Sequence, residues 1–478
     1  MSYIGKTPVI GNFVKLDAIS VVNGQAAYTM QNGGANFTEY NNVNQFLVSL
    51  NGILQSPTTS FTVSGSTITF ASNLATGDVI DFIQILGDVL DLGVPSDATV
   101  TAAKLASDSV TSAKVADGVL QPPHRNIIIN GDMSIAQRAT SATGLTSAGY
   151  HTIDRFRGVI GSLGTWTMSQ STDVPSGQGF ATSLKMDCTT ADASPAAGDY
   201  CWIGQRIEGQ NLQHLKKGTS NAESTTISFW VKATKTGTNV VEFSDKDNTR
   251  HICQSYTINS TNTWEKKTIT FAGDTANAFN NDNGESAELI FWLGAGSTYT
   301  SGTLPTSWSS FSGLPGNRAA GQINHADSTS NDFYITGVQL EVGSAASDFE
   351  FLPVDVNLQR CQRYYHQIYS QSGTQAFSDT LDLANCTNYD AGQLFCMKDL
   401  PTTMRAIPSI VQTTGTDYLN ALRNGAQDGF NGFNGTGKAG YNNIAIFTSG
   451  GEGYSGVAGV SVRVRCNASY KLAANAEL

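Results

Sequence analysis

Residues 126–156 read NIIINGDMSIAQRATSATGLTSAGYHTIDRF, and they decide how the rest of the chain is interpreted. Three isoleucines at 127–129 predict a short buried strand. Asn130-Gly131-Asp132 has the chemistry of a turn that ends this strand, and Met133 and Ile135 resume an alternating apolar pattern. After a polar loop, Tyr150 and Phe156 return the chain to a core. The stretch therefore predicts the start of a β-structured head domain.

The polar residues of this stretch follow a recognisable order. They resemble the opening of a β-sandwich domain common in bacteriophage tail fibre and tail appendage proteins, with the pattern N-x-x-x-NGD-x-x-x-x-QR followed by a tyrosine and DR-aromatic. An isolated NGD would be uninformative, because it is ordinary turn chemistry. The matching residues are Asn126, Asn130, Gly131, Asp132, Gln137, Arg138, Tyr150, Asp154, Arg155 and Phe156.

Three later segments resemble the same family in the same order. Residues 226–233, TISFWVKA, look like its central strand, and residues 335–344, ITGVQLEVGS, look like its closing strand. Phe349-Glu350-Phe351 and residues 361–365, CQRYY, look like its exit. Four ordered segments make the resemblance specific, and it implies a sandwich of the carbohydrate-binding type.

Residues 1–96 are predicted to form an antiparallel β-domain. Asn51-Gly52 lies between two apolar runs, and this dipeptide favours a type I′ hairpin because both positions accept a positive φ. A second hairpin is expected around Ser64-Gly65-Ser66. The order VSLNG, FTVSG, ITF and IDF resembles amino-terminal modules of fibre-like proteins in tailed phages. That resemblance implies attachment to the virion through other phage tail proteins.

A tandem ten-residue repeat lies within residues 97–123. TVTAAKLASD is followed directly by SVTSAKVADG, so apolar residues recur every five positions at Val100, Leu105, Val110 and Val115. This spacing fits neither a helix nor a strand, and two repeats cannot bury their own apolar side chains. We expect a stalk in which identical chains wrap together as an elongated homotrimer. The alternative is a solvated linker.

Residues 124–353 are predicted to form a large jelly-roll-like β-sandwich. All six tryptophans of the chain lie here, and a compact core would account for most of them. Phe229-Trp230 and Phe291-Trp292 lie in apolar or alternating runs and are expected on inner strands. Trp308 lies in a loop rich in Gly, Ser and Pro, where an exposed indole is a platform for stacking on a sugar.

Residues 354–478 are predicted to form a smaller C-terminal β-sandwich that is the receptor-binding tip. One or two helical turns are expected at 354–359, and alternation predicts a final strand at 457–466. The glycine-rich run DGFNGFNGTGKAG carries Phe430 and Phe433, and Tyr441 follows it. Because glycine leaves a loop free to expose its rings, these three residues are the main candidates for ligand binding, and Trp308 is the next.

Composition restricts the classes of function. Charged residues make up 14% of the chain, which is typical of a β-rich extracellular or virion protein rather than a cytosolic enzyme. A net charge of −11 gives no electrostatic basis for nucleic-acid binding. Neither a membrane-spanning apolar segment nor a signal peptide is recognisable, so we expect a protein made in the host cytoplasm. The resemblance to phage tail proteins implies that it is located in the virion tail.

Chemistry-bearing motifs are few. The seven cysteines lack metal-ligand spacing, so reduced buried thiols are expected, although a Cys188–Cys201 pair is conceivable. No nucleophile elbow, HExxH motif or Walker loop occurs, and a non-enzymatic protein without a cofactor is expected. No metal is expected either, and the alternative is a calcium site at Asp282 and Glu285 in an oxygen-rich loop.

The sequence patterns predict an all-β, trimeric protein, and the resemblances imply that it is a phage tail fibre. It would attach to the virion through its N-terminal domain and bind a host-surface receptor, most simply a glycan, through its distal domains. Two alternatives stay open. One is a tailspike enzyme that cleaves a surface polysaccharide, and the other is an architectural appendage or head fibre without a ligand.

Overall fold

The computed structural model describes residues 13–86, 124–311, 315–370, 382–436, 440–448, 452–466 and 470–478. They belong to two compact units, within residues 1–115 and 116–478, and each unit is described by itself. Strands account for 44% of the described residues and helices for 6%, so the predicted all-β class is confirmed. The stalk residues Val100, Leu105, Val110 and Val115 lie outside the described residues, and the trimer stays a prediction. No helix in the described ranges is both long and apolar enough to cross a membrane.

The N-terminal unit contains two small antiparallel sheets and a two-stranded hairpin. The sheets have the strand orders β1-β9-β5-β6 and β2-β8-β7, and the hairpin is β3-β4. Apolar residues of both sheets form one shared core. The strands are β1 (Val14–Lys15), β2 (Gln25–Thr29), β3 (Gln31–Asn32), β4 (Ala35–Asn36), β5 (Phe46–Leu50), β6 (Ile53–Leu54), β7 (Phe61–Ser64), β8 (Thr67–Leu74) and β9 (Ile80–Ile85).

Both predicted hairpins of this unit are confirmed. β5 and β6 pair across Asn51 and Gly52, whose φ values are 52° and 75°, as a type I′ turn requires. The Asp81 carboxylate on β9 accepts hydrogen bonds from the Gly52 N–H and the Ser49 hydroxyl, both at 2.7 Å. The turn is therefore fixed from the neighbouring strand. β7 and β8 pair in the same way around Gly65.

The second unit begins with the predicted sandwich of two six-stranded antiparallel sheets. Sheet I has the order β10-β12-β13-β21-β15-β18, and sheet II has the order β11-β14-β19-β16-β17-β20. Their facing sides bury one large apolar core that includes Trp166, Phe229 and Phe291. The strands are β10 (Ser141–Leu145), β11 (Arg157–Gly161), β12 (Thr165–Ser171), β13 (Ser183–Thr190), β14 (Tyr200–Glu208), β15 (Thr225–Ala233), β16 (Gly237–Asp245), β17 (Arg250–Ile258), β18 (Glu265–Phe271), β19 (Glu285–Ala295), β20 (Ser309–Ser310) and β21 (Asp332–Val342), with a short helix α1 (Ser297–Thr300).

Ile128 and Ile129 are buried as predicted and Ile127 is half-buried, but the three residues do not form a regular strand. The Asn126 side chain takes the place of a strand partner, because its Oδ1 accepts hydrogen bonds from the N–H groups of Ile128 at 3.0 Å and Leu340 at 3.1 Å. Gly131 then passes so close to β21 that a Cβ atom would lie 2.0 Å from the Val338 carbonyl oxygen. The turn sequence is therefore dictated by close packing as well as by turn chemistry.

The C-terminal β-structure contains a three-stranded sheet, β22-β31-β25, and a seven-stranded sheet, β27-β26-β30-β23-β24-β29-β28. The predicted helical turns are confirmed as α2. Val462 and Val464 alternate inward on β30 as predicted, but β31 follows, so β30 is not the last strand. The elements are α2 (Val354–Gln362), β22 (Tyr365–Ser370), β23 (Asp382–Asn388), β24 (Leu394–Asp399), β25 (Ser409–Gln412), β26 (Leu419–Arg423), β27 (Ala426–Phe430), β28 (Gly435–Thr436), β29 (Asn443–Phe447), β30 (Ser461–Cys466) and β31 (Lys471–Asn475).

One cysteine pair departs from the expectation of reduced thiols. Cys386 on β23 and Cys396 on β24 lie directly opposite each other and form a disulfide, so that expectation is wrong for this pair. The antiparallel register of two neighbouring strands brings them together. Cys188 and Cys201 are free and buried, so the conceivable pair between them is not formed.

Candidate functional site

The motif residues of the opening stretch converge on a junction between the sandwich and the C-terminal β-structure. The Arg155 side chain is only 1% exposed. Its guanidinium donates to the Glu477 carboxylate and to the Arg206 carbonyl oxygen, and lies 3.5 Å from the centre of the Tyr364 ring. Both the DR-aromatic and the CQRYY segments therefore contribute side chains to the packing of this junction. Their role in the chain is structural.

Asp154 lies at the same junction and has a shifted pKa. Its oxygens accept hydrogen bonds from the backbone and side-chain N–H groups of Gln137, and Arg138 lies 3.7 Å away. Burial nevertheless outweighs these interactions and raises the pKa of Asp154 to about 6. A shifted carboxyl pKa is a common sign of a catalytic acid. Here the carboxyl group is almost fully buried and occupied by Gln137, so it does not form an accessible site.

Phe430 and Phe433 are core residues, so the prediction that they are exposed ligand-binding rings is wrong. Their side chains are 0% and 2% exposed, and the rings pack edge to face with centres 5.6 Å apart. Phe430 makes a second edge-to-face contact with Tyr454. The glycine-rich run begins as strand β27, which pairs with β26, and the alternation of that strand turns Phe430 inward. A buried ring offers no face to a sugar.

Trp308 and Tyr441 differ in their surroundings. Trp308 packs at the edge of the sandwich core against Phe243, and its Nε1 donates to the Ala272 carbonyl oxygen at 2.7 Å. The Lys217 Nζ lies 5.3 Å from the centre of the indole ring. These contacts hold the half-buried Trp308 in place, and ligand binding there stays a prediction. Tyr441 is 50% exposed, and ligand binding there stays a prediction.

A buried group of potential metal ligands lies on sheet II, at Glu242, His251 and Cys253. His251 Nδ1 lies 3.1 Å from Glu242 Oε1, Arg318 Nε donates to the same oxygen at 2.9 Å, and Trp292 Nε1 donates to Oε2 at 3.0 Å. Burial opposes ionisation of Glu242, but Arg318 and His251 lower its pKa to about 2. Since N–H donors occupy both oxygens and a guanidinium would repel a cation, the group is an ion-pair network and does not fit a metal.

The calcium alternative involved Asp282 and Glu285, which have separate partners in the structure. Asp282 Oδ1 accepts the Gly284 N–H at 2.8 Å, and Glu285 pairs with Arg206 at 3.2 Å. The cluster of possible metal ligands found in the described ranges contains neither residue. Calcium binding at this loop stays a prediction.

A groove on the outer face of sheet I is the candidate functional site. β15 directs Ile227, Phe229 and Val231 into the core, so its alternation turns Trp230 to the opposite face. β15 is an inner strand of sheet I, as expected, because it lies between β21 and β18, and Trp230 is on its outer face. We call this cavity of about 330 Å³ the aromatic groove; it is lined by Gly177, Gln178, Phe180, Ser228, Trp230, Lys266, Gly337, Asp348, Phe349 and Phe351.

Three phenylalanines form one wall of the aromatic groove. The ring centres of Phe180, Phe349 and Phe351 lie 4.9–5.1 Å from one another, and Phe351 is 50% exposed. Two glycines make room for them. At Gly337, where φ is +62°, a Cβ atom would lie 2.6 Å from the Phe180 ring, and at Gly179 it would lie 3.2 Å from the Phe351 ring. The wall is therefore held in place by backbone geometry as well as by ring packing.

Polar side chains on the rim of the aromatic groove are available to a ligand. Gln178, Lys266 and Asp348 are exposed. No side-chain hydrogen bond or ion pair engages them within the part of the chain that the structure describes. A concave aromatic lining with a few convergent polar groups is the usual form of a small-molecule site. It suits a sugar, whose C–H face stacks on a ring and whose hydroxyl groups need donors and acceptors.

Sequence reasoning missed this groove, although one of its signals was present. In TISFWVKA, a strict two-residue alternation from Ile227 through Val231 leaves Trp230 beside Ser228 and Lys232 on the polar face. A tryptophan on a polar face indicates a surface role. The rest of the lining comes from segments around Phe180 and Phe351, which are far from Trp230 in sequence. Local sequence patterns do not show that these segments pack together.

Comparisons with known proteins found solved structures of low sequence identity to this chain. No protein-family model and no curated protein matches the chain. A solved structure of the enzymatically active domain of tailspike protein 4 of bacteriophage CBA120 is 15% identical, with a TM-score of 0.25, covering 46% of this chain and 22% of that one. This chain thus spans about a fifth of the tailspike structure.

Two carbohydrate-binding domains also match. The family 11 carbohydrate-binding module from Clostridium thermocellum, in complex with a β-1,3-1,4-mixed-linked tetrasaccharide, is 10% identical with a TM-score of 0.21, covering 44% of this chain and 99% of that one. The N-terminal cellulose-binding domain of β-1,4-glucanase C from Cellulomonas fimi is 11% identical with a TM-score of 0.20, covering 35% and 83%. All three TM-scores lie below 0.5, so no property of this chain is inferred from them.

Proposed function

We propose that the protein is a non-enzymatic, glycan-binding component of a bacteriophage tail and that the aromatic groove is its glycan site. The phage assignment is supported by the ordered sequence resemblance across residues 126–365 and in the N-terminal unit. The observation that carries the glycan assignment is the aromatic groove, with Trp230 and Phe351 at the surface and unengaged polar side chains beside them.

The composition of the aromatic groove favours binding over cleavage. Glycoside hydrolysis in most families uses two carboxyl groups on either side of the scissile bond. Among the described residues that line the groove, Asp348 is the only one with a carboxylate. Asp348, Gln178 and Lys266 together supply acceptors and donors that suit sugar hydroxyl groups. The groove therefore supports a binding role, and we retain the proposal that the protein is not an enzyme.

Weak single sites would need multivalency to hold a particle on a cell. A millimolar site corresponds to about 4 kcal/mol. Linking sites can raise avidity by about 10² to 10⁴. We therefore retain the homotrimer as part of the proposal, supported by the repeat that contains Val100, Leu105, Val110 and Val115. Light scattering is expected to give three times the chain mass of 50.7 kDa. A monomer mass at micromolar concentration would contradict this.

Replacing Trp230 with alanine is expected to weaken glycan binding about tenfold, because a stacking face worth about 1.4 kcal/mol is removed. The indole is half-buried on the outer face of sheet I, so the thermal midpoint should change little. Binding is measured on an oligosaccharide array and then by calorimetry with the best oligosaccharide found. Trp230→Phe should recover most of the affinity, since it restores an aromatic face.

The matched control is Tyr389→Ala, which removes a 74% exposed ring from the C-terminal β-structure. This variant should bind like the unmodified protein. If Trp230→Ala retains full affinity while Tyr441→Ala loses it, recognition lies in the C-terminal β-structure and the assignment of the groove is wrong. If the unmodified protein binds no oligosaccharide on the array, the glycan proposal itself fails.

A further inference from the structure

A second cavity, also of about 330 Å³, lies between the segment that opens the sandwich and the last turn of α2. Four basic side chains line it, those of His124, His214, Arg360 and Arg363, and no carboxylate is among its described lining residues. We call this cavity the basic pocket. It lies apart from the aromatic groove, with which it shares no lining residue.

The carboxylates nearest to the basic pocket are already engaged. Glu208 accepts two hydrogen bonds from the Arg363 guanidinium, at 2.8 and 2.7 Å, in a bidentate pair. Glu350 accepts the backbone N–H groups of His124 at 2.5 Å and Asn126 at 2.9 Å. The charge of Arg363 is therefore neutralised by Glu208. Glu350, in contrast, bonds to backbone N–H groups and forms no hydrogen bond with a cationic side chain of the described residues.

Arg360 is left without a matching anion. Its Nη2 donates to the Asn126 carbonyl oxygen at 3.2 Å, and it makes no ion pair within the described residues. Arg155, which is buried, and Arg318, which is half-buried like Arg360, each bond a carboxylate. Burial lowers the pKa of Arg360, and the negative charge of Glu350 partly offsets this lowering. A guanidinium has five N–H donors, so several remain for a ligand.

We propose that the basic pocket binds an oxyanion, namely a phosphate, sulfate or carboxylate group, with Arg360 as its principal ligand. An oxyanion would supply both the missing charge and the missing acceptors, and guanidinium groups recognise phosphate and carboxylate through paired N–H donors. His124 and His214, both exposed at the rim, are positioned to donate as well. The anion is either a substituent of an acidic glycan or a free ion. This inference does not depend on glycan binding at the aromatic groove.

Calorimetry with inorganic phosphate and with sulfate, at an ionic strength held constant with sodium chloride, tests the proposal on the full chain. We expect saturable binding of one ion per chain. Arg360→Met, which keeps most of the aliphatic stem, should weaken it at least tenfold. Lys471→Met, which removes an exposed positive charge on β31, is the matched control and should bind as the unmodified protein does.

Two further variants keep the test decisive if Arg360→Met does not fold. Arg360→Lys retains the charge but loses the paired donors, and His214→Gln changes an exposed side chain at the rim; each should weaken phosphate binding severalfold. The proposal is overturned if the unmodified protein shows no saturable binding, or if both of these variants bind as it does. Trp230→Ala should bind phosphate normally, so failure of the glycan site and failure of the basic pocket give different results.

Comparison of anion carriers identifies the source of the anion. Glucose 6-phosphate and glucuronate are compared with inorganic phosphate, and glucose serves as the neutral reference. Binding of either acidic sugar at least tenfold tighter than inorganic phosphate would identify an acidic glycan. Equal affinities for glucose 6-phosphate and phosphate would identify a free ion. Binding of glucose as tight as that of glucose 6-phosphate, lost in Arg360→Met, would contradict an oxyanion site.

Discussion

Replacing Arg155 with methionine is expected to lower the free energy of unfolding by about 3–5 kcal/mol. The side chain is 1% exposed and bonds both the Glu477 carboxylate and the Arg206 carbonyl oxygen. Methionine would leave the buried Glu477 carboxylate with Arg138, at 3.1 Å, as its remaining ion-pair partner, and would leave the Arg206 carbonyl oxygen without the Arg155 donor. Removing one partner of a buried ion pair is strongly destabilising. Urea unfolding, followed by tryptophan fluorescence and circular dichroism, measures the change.

Arg157→Met is the matched control for this variant. Arg157 is two residues away and only half-buried, and it makes no ion pair among the described residues. Its loss should change the free energy of unfolding by less than about 1 kcal/mol. Glu477→Gln should be destabilising as well, and the double variant with Arg155→Met should lose less than the sum of the two. Additive effects would show that the two side chains do not act as a pair.

Replacing Phe430 with alanine is expected to lower the free energy of unfolding by about 3–5 kcal/mol, the usual range for a fully buried phenylalanine. Its ring is 0% exposed and packs edge to face on both Phe433 and Tyr454. Alanine would leave a cavity in the core of the C-terminal β-structure. Urea unfolding measures the change, and Tyr441→Ala, at a half-exposed ring, should stay within about 0.5 kcal/mol.

The outcome for Phe430 also separates the two interpretations of the glycine-rich run. A loss below about 1 kcal/mol, together with reduced binding to host cells, would mean that the ring is exposed for recognition. A large loss of stability would mean that it belongs to the core. The burial and the strand pairing of β27 favour the second outcome.

Short sequence patterns correctly predicted the turns and strand faces that depend only on neighbouring residues. The Asn51-Gly52 turn follows from the φ values that these two residues accept, and the inward Val462 and Val464 follow from strand alternation. The same alternation places Trp230 on the outer face of β15, whereas the apolar run around it predicted only an inner strand.

Features that depend on register between distant segments were not predictable in the same way. The Cys386–Cys396 disulfide requires that β23 and β24 pair with these two residues opposite. Phe430 is buried because β27 pairs with β26, whereas its glycine-rich neighbourhood suggested an open loop. The basic pocket requires α2 to pack beside residues 126–129. Each of these depends on tertiary arrangement, which short sequence windows do not contain.

The junction between the sandwich and the C-terminal β-structure has a consequence for synthesis. Arg155 and Glu477 are 322 residues apart in sequence, so translation at roughly 5–20 residues per second separates their appearance by many seconds. Late in that interval every strand of the sandwich, the last of which ends at Val342, has been synthesised, but Glu477 has not. Until Glu477 is made, the Arg155 guanidinium lacks this carboxylate, and water must take its place.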